Sequence, residues 1–282
     1  MKNILIPTDF SSNAWNAVKY AQRLYQSTPC NFYLLHVSDY ATLTLETTYT
    51  SSTGQNFTEQ LLQPSKAELK NLLQKVEAIN NNQRHRFYSI HEEGVFINAI
   101  KKHILENRID LIVMGTKGAS GFREHIIGSN TGDVITKIQC NTLIIPKGVE
   151  FNEPKEIAFP TDYNIFYSHQ ILDALTELLQ LSKGNLRVMN VSKMNRSLTN
   201  PQETNRNYLS DYLQETFAAN SSFHTITNKS VKPAIQCFVE SRDIDMIIMV
   251  AKNLNFLQQV LFDSIVEKIS FHTTVPFYVL HQ

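Results

Sequence analysis

A strand-like run from Ile109 leads into Met114-Gly-Thr-Lys-Gly118, and after nine intervening residues the chain reads Gly128-Ser129-Asn130-Thr131. Six of the nine glycines fall between Gly94 and Gly132. Glycine reaches positive φ and lets a ligand approach the main chain closely. Ser, Asn and Thr at a helix start cap N–H groups that the helix leaves unpaired. A glycine-rich exit from a strand followed by such a helix start is the makings of an anion cradle. The chemistry this pattern suggests is phosphate binding, with a nucleotide as the ligand.

Two familiar phosphate motifs are excluded by spacing. A P-loop needs Gly-x-x-x-x-Gly-Lys-Ser/Thr, and no Lys-Ser or Lys-Thr pair follows a glycine here. A dinucleotide fingerprint needs Gly-x-Gly-x-x-Gly, whereas Gly115, Gly118 and Gly121 are three apart. Ser129 lacks the Gly-x-Ser-x-Gly elbow of a nucleophile. The nine histidines form no HxH, HExxH or HxxxH cluster; His36 is expected at the edge of the core, and His125 lies between the glycines. Cys30, Cys140 and Cys237 are far apart and read as reduced, mostly buried thiols.

The elements that must position these residues come from two copies of one unit. Asn3-Ile-Leu-Ile-Pro-Thr-Asp9 recurs as Glu156-Ile-Ala-Phe-Pro-Thr-Asp162, and Tyr33-Leu-Leu-His-Val-Ser38 as Arg187-Val-Met-Asn-Val-Ser192. Asp110-Leu-Ile-Val-Met114 recurs as Asp245-Met-Ile-Ile-Met249, and Cys140-Asn-Thr-Leu-Ile-Ile145 as Val275-Pro-Phe-Tyr-Val-Leu280. Within each copy, short apolar runs alternate with helix-period segments, which predicts βαβ units, a parallel sheet and helices on both faces. In the first copy strands are expected near 3–8, 31–37, 86–90, 109–114 and 142–146, and helices near 12–27, 64–81, 95–107 and 129–138. The domains are expected at 1–148 and 154–282. Ligands of doubly wound sheets bind beyond the carboxyl ends of the strands, where Pro7-Thr8-Asp9, Val37-Ser38-Asp39 and the glycine loop all emerge.

At 282 residues, 42% of them apolar, the chain has material for two cores. Lys plus Arg equals Asp plus Glu at 26 each, so no basic excess points to nucleic acid or a membrane surface. The chain opens on a strand pattern and holds no apolar run near 18 residues, so a soluble, cytoplasmic protein is expected. Thr42 to Phe57, rich in Thr, Ser and Tyr, reads as a mobile loop before a helix from Pro64, or as a lid or partner-binding arm. Trp15 fits either the exposed side of the first helix or a subunit contact.

On Ile4-Leu-Ile-Pro-Thr-Asp-Phe-Ser11, Leu34-Leu-His-Val37 and the glycine pattern to Gly128-Ser129, the chain resembles a universal stress protein in its tandem two-domain form. The resemblance implies two tandem doubly wound, mostly parallel five-stranded α/β sheets of the adenine nucleotide alpha hydrolase-like kind. It also implies a stress-related regulatory protein that binds ATP or AMP in its first domain. By position, Asp9 with the Pro7-Thr8 turn and Val37 would hold the adenosine. Met114, Gly115 and Gly118 would line the ribose and α-phosphate. Gly128, Ser129, Asn130 and Thr131 would hold the distal phosphates through N–H groups and hydroxyls, with Lys117 as a candidate cation. Mg or Mn would accompany the phosphates, with Asp39 a weak candidate partner. Single-domain members pair their last strands antiparallel, so Thr142–Pro146 and Phe277–Leu280 are expected to pair within this chain as a pseudo-dimer. A homodimer and a protein partner are further implications of the resemblance.

The second copy keeps Asp162 and Ser264 but has Val250, Asn253 and Asp263 where the first has Gly115, Gly118 and Gly128. Side chains restrict that backbone, and Asp263 sets a carboxylate against phosphate. One nucleotide site per chain is therefore expected. A slow ATP hydrolase or phosphoryl-transfer enzyme is an alternative, but no base or acidic pair is visible for turnover, so at most weak ATPase activity is expected. A ligand-free scaffold module is the other alternative.

Overall fold

In the computed structural model, residues 1–38, 56–116, 129–192, 197–217, 219–252 and 275–281 are described. The first copy contributes β1 (Lys2–Pro7), α1 (Ser12–Leu24), β2 (Cys30–Ser38), α2 (Asn56–Ile79), β3 (His85–Glu93), α3 (Phe96–Glu106), β4 (Leu111–Gly115), α4 (Ser129–Lys137) and β5 (Thr142–Ile145). The second contributes β6 (Glu156–Pro160), α5 (His169–Ser182), β7 (Asn185–Ser192), α6 (Asn200–Phe217), β8 (Ser221–Thr227), α7 (Val231–Ser241), β9 (Met246–Val250) and β10 (Phe277–Leu280).

The strands form one ten-stranded sheet in the order β3-β2-β1-β4-β5-β10-β9-β6-β7-β8. All neighbours run parallel except β5 and β10, which pair antiparallel with Phe277 opposite Ile144 and Val279 opposite Thr142. The two expected five-stranded sheets are thus halves of one sheet, joined edge to edge. Each half has the order 3-2-1-4-5 or its equivalent, the doubly wound arrangement. Pairing β5 with β10 covers two edges that would otherwise offer unpaired backbone groups.

Central strands are buried on both faces, so Ile4, Leu5 and Ile6 of β1 and Leu111, Ile112 and Val113 of β4 are solvent-free apolar runs. α1 buries Ala14, Ala17, Val18, Ala21 and Leu24 along one stripe, and the Ser11 hydroxyl caps it by accepting from Ala14 N at 3.2 Å. Across the seam, Lys2 pairs with Glu177 and His281 N donates to Asn141 Oδ1 at 2.9 Å, while Asn16 Nδ2 donates to Val149 O of the connecting stretch at 2.6 Å. Trp15 is half-buried against the main core and lies beneath Lys75, whose Nζ is 4.1 Å from the ring centroid. That places it against α2 rather than on a fully exposed side of α1.

One helix start differs from expectation. α2 begins at Asn56 and runs through Pro64, rather than starting there. Proline inside a helix removes one i→i−4 bond and crowds the preceding turn. Leu62, Leu69 and Val76, all buried at seven-residue intervals, anchor the helix on both sides of it. Asn56 and Phe57, expected in a loop, are helical; residues 42–55 of that expectation lie outside the described residues.

Candidate functional site

Strand order dictates where a crevice opens. From β1 the chain winds outward through β2 to β3, then returns to place β4 on the other side of β1. Helices leave β1 and β4 toward opposite faces of the sheet, and the carboxyl ends of these two strands form the switch point. Pro7, Thr8 and Asp9 lie at one side of it and Met114, Gly115 and Thr116 at the other.

The β1 end is a tightly hydrogen-bonded turn. Thr8 N donates to Leu35 O at 2.8 Å, Phe10 N to Thr8 Oγ1 at 3.1 Å, and Ser11 N to Asp9 Oδ1 at 3.1 Å. Phe10 takes a left-handed φ of 63°, which costs a non-glycine residue roughly 1–2 kcal/mol. Its ring stacks on His36 with centroids 4.4 Å apart. His36 Nδ1 lies 2.9 Å from Thr8 O; because a carbonyl only accepts, that nitrogen carries the proton. The half-buried Asp9 carboxylate is thereby fixed between the strand and the first turn of α1.

The β4 end is shaped by close packing. A Cβ on Gly115 would meet Asn13 Nδ2 at 2.3 Å and Asn13 Cγ at 2.7 Å, so the buried Asn13 of α1 fills the space a side chain would need. Thr131, in the first turn of α4, donates its hydroxyl to Gly115 O at 2.9 Å. This bond brings the start of α4 to the crevice. Ser129 and Asn130 are exposed there, whereas Thr131 is buried. The hydroxyl expected on a distal phosphate at Thr131 is therefore committed to holding the helix against β4. Leu5, Leu35, Ile112 and Met114 belong to the core cluster shared with α3 and α4, with Val37 packed against it.

The structure thus brings together Pro7, Thr8, Asp9, Val37, Met114, Gly115, Ser129, Asn130 and Thr131. Lys117, Gly118 and Gly128, together with Asp39 and His125, lie outside the described residues. Among the described residues no group of three or more His, Cys, Asp or Glu side chains is placed to hold a metal ion. Sequence reasoning missed Asn13 as the neighbour of Gly115. Nothing in the spacing of an asparagine within a helix and a glycine a hundred residues later signals that contact.

The second copy repeats the turn and then closes it. Thr161 N donates to Met189 O at 2.8 Å, Tyr163 N to Thr161 Oγ1 at 3.0 Å, and Asn164 N to Asp162 Oδ1 at 3.0 Å. Tyr163 has the same left-handed φ as Phe10, at 56°. Asn190 replaces His36 and donates from Nδ2 to Thr161 O at 2.8 Å. The closure comes from side chains with no counterpart in the first copy. Asn164 Nδ2 also donates to Asp162 Oδ2 at 2.8 Å, so both carboxylate oxygens are engaged by one neighbour. The buried Tyr167 hydroxyl lies 2.6 Å from Thr161 Oγ1. From α6, Gln202 Nε2 donates to Asp162 O at 2.8 Å and Asn205 Nδ2 to Tyr163 O at 2.9 Å. Burial raises the phenols of Tyr163, to about 12, and of Tyr167, so both are neutral packing groups at pH 7. Val250, buried, carries a side chain where Gly115 has none. Asn253, Asp263 and Ser264 lie outside the described residues.

Comparison with known proteins follows the same duplication. The pattern that defines the Universal stress protein family matches residues 1–146 and again residues 155–281. Universal stress protein MJ0531 of Methanocaldococcus jannaschii is 27% identical over 146 residues, covering 52% of this chain and 82% of its own length. Universal stress protein MJ0577 of the same organism is 26% identical over 154 residues, covering 52% of this chain and 95% of its own. The crystal structure of a universal stress protein from Archaeoglobus fulgidus covers 99% of this chain and 98% of its own, with a TM-score of 0.70 at 18% identity. That last likeness is one of fold.

Proposed function

The chain belongs to the universal stress protein family, and on that premise we propose that its first half binds one adenine nucleotide, ATP or AMP, as a regulatory ligand. The observation that carries this reading is the convergence at one switch point of a fixed carboxylate, Asp9, a side-chain-free strand end, Gly115, and a helix start, Ser129 to Thr131. A carboxylate accepts from ribose hydroxyls. Apolar side chains near the strand ends, Met114 and Val37, suit a flat base. A helix N-terminus with exposed Ser129 and Asn130 suits phosphate, and Gly118 and Gly128 with Lys117 are assigned to the same phosphates. Mg or Mn would ride on the phosphate oxygens rather than on a protein cage.

The second half, in this reading, keeps the turn but fills it with its own Asn164, Tyr167, Gln202 and Asn205, and serves to complete the sheet. The role is binding rather than turnover, with occupancy of the first half setting the affinity for a protein partner. Asp9→Asn keeps an oxygen for Ser11 N and removes the charge from the ribose position. A charged hydrogen bond contributes about 1.5–3 kcal/mol, so ATP should bind at least about tenfold more weakly. Unchanged ATP affinity in that variant would place the ligand elsewhere.

A further inference from the structure

A second concave site lies away from this crevice. It is a cavity of about 770 Å³ at the seam between the two copies, walled by α3 and the last turn of α4 from the first and by the chain after β9 and β10 from the second. α4 reaches the nucleotide crevice with Ser129 to Thr131 and this cavity with Thr136 to Ile138, so the two lie at opposite ends of one helix.

The described part of its lining carries one sign of charge. Among the described residues Lys101, Lys137 and Lys252 border it, and no carboxylate does. Lys137 is paired with Asp133 at 2.8 Å. Among the described residues Lys101 and Lys252 have no ion-pair partner, and both are exposed. The walls between the lysines are aliphatic: Ile104, Leu105, Ile135 and Ile138. Leu105 is 80% exposed, the largest exposure of any described large apolar side chain. At the inner wall His281 is buried, and its Nε2 has no hydrogen-bond partner among the described residues. Burial holds that imidazole neutral, so among the described lining residues the charge comes from the lysines.

We propose that this cavity binds a small amphipathic anion, a carboxylate on an aliphatic body, with the acid group at Lys101 and Lys252 and the chain against Ile104, Leu105, Ile135 and Ile138. Its volume falls in the range of small-molecule sites. Among the described residues no aromatic ring other than that of His281 lines it, which disfavours a nucleobase. Charge complementarity selects an anion, and the aliphatic walls select a hydrocarbon body over a free phosphate.

Octanoate is a suitable probe, added to the full chain and followed by saturation-transfer NMR and calorimetry at pH 7. One octanoate should bind per chain, and octanol, with the same body and no charge, should bind at least tenfold more weakly. Lys101→Glu and Lys252→Glu should each weaken octanoate about three- to tenfold while ATP titration stays unchanged, since both positions are exposed and remote from Asp9. Leu105→Asp should weaken it as well. Absence of saturation transfer at millimolar octanoate in the wild-type chain overturns the proposal. So does equal binding of octanol, or octanoate affinity indifferent to both charge reversals.

Discussion

An alanine at position 115 would set its Cβ 2.3 Å from Asn13 Nδ2 and 2.7 Å from Asn13 Cγ. Asn13 is only 6% exposed and sits in the first turn of α1, so its short side chain has little room to swing aside. Overpacking of this kind costs about 1–3 kcal/mol. The displacement also reaches the proposed ligand residue Asp9, because Asn13 lies two positions after Ser11, whose N–H donates to Asp9 Oδ1. Gly115→Ala should therefore lower stability by that amount and weaken ATP binding about fivefold or more. Asn13→Ala removes both clashing atoms, so the double variant should recover much of what Gly115→Ala loses. Urea unfolding and ATP calorimetry on the wild type, both single variants and the double variant complete the cycle. A coupling energy of at least about 1 kcal/mol is expected for residues in such contact. Additivity within about 0.5 kcal/mol would refute the packing argument, and intact ATP affinity in Gly115→Ala would refute its link to the site.

Two further expectations concern the whole chain. Burial pushes the Cys30 and Cys140 thiols up to about 12, whereas Cys237 is exposed, so a thiol reagent should modify one cysteine of three in the native protein and all three after denaturation. Burial lowers the His281 pKa from 6.5 to about 4, so the unfolded chain takes up a proton below about 6.5 that the native chain refuses. Stability from this group is therefore level above pH 6.5 and falls between about 6.5 and 4, by up to about 3 kcal/mol. His281→Gln should flatten the stability profile of the protein in that window by close to one proton; an identical slope would contradict the assignment.

Much of the architecture was legible because duplication supplies its own alignment. The pairs Asp9 and Asp162, Asp110 and Asp245, and Ile145 and Leu280 mark matching strand limits, while the antiparallel β5–β10 seam was expected from the resemblance to the family. His36 and Asn190 differ in type but occupy one role, donating to the carbonyl of Thr8 or Thr161. Asp110 likewise accepts from Asn3 N as Asp245 accepts from Lys155 and Glu156 N. What was not legible depends on tertiary packing. The start of α2 was misplaced because Pro64 looks like a first helical residue, and only the buried leucines on either side show that the helix passes through it. The filling of the second turn was missed for a related reason. Ser11 caps α1 two residues after Asp9, but Ser168 precedes α5 six residues after Asp162, and the longer connection carries Tyr167 inward. That insertion was the available signal.

The central claim is asymmetry: two copies of one fold and a single nucleotide site. Calorimetric titration of the intact chain with ATP in the presence of Mg tests it most directly. The account predicts a stoichiometry of one ATP per chain, abolished or strongly weakened by Asp9→Asn and unaffected by Asp162→Asn. Two nucleotides per chain, or one that depends on Asp162 rather than Asp9, would contradict it.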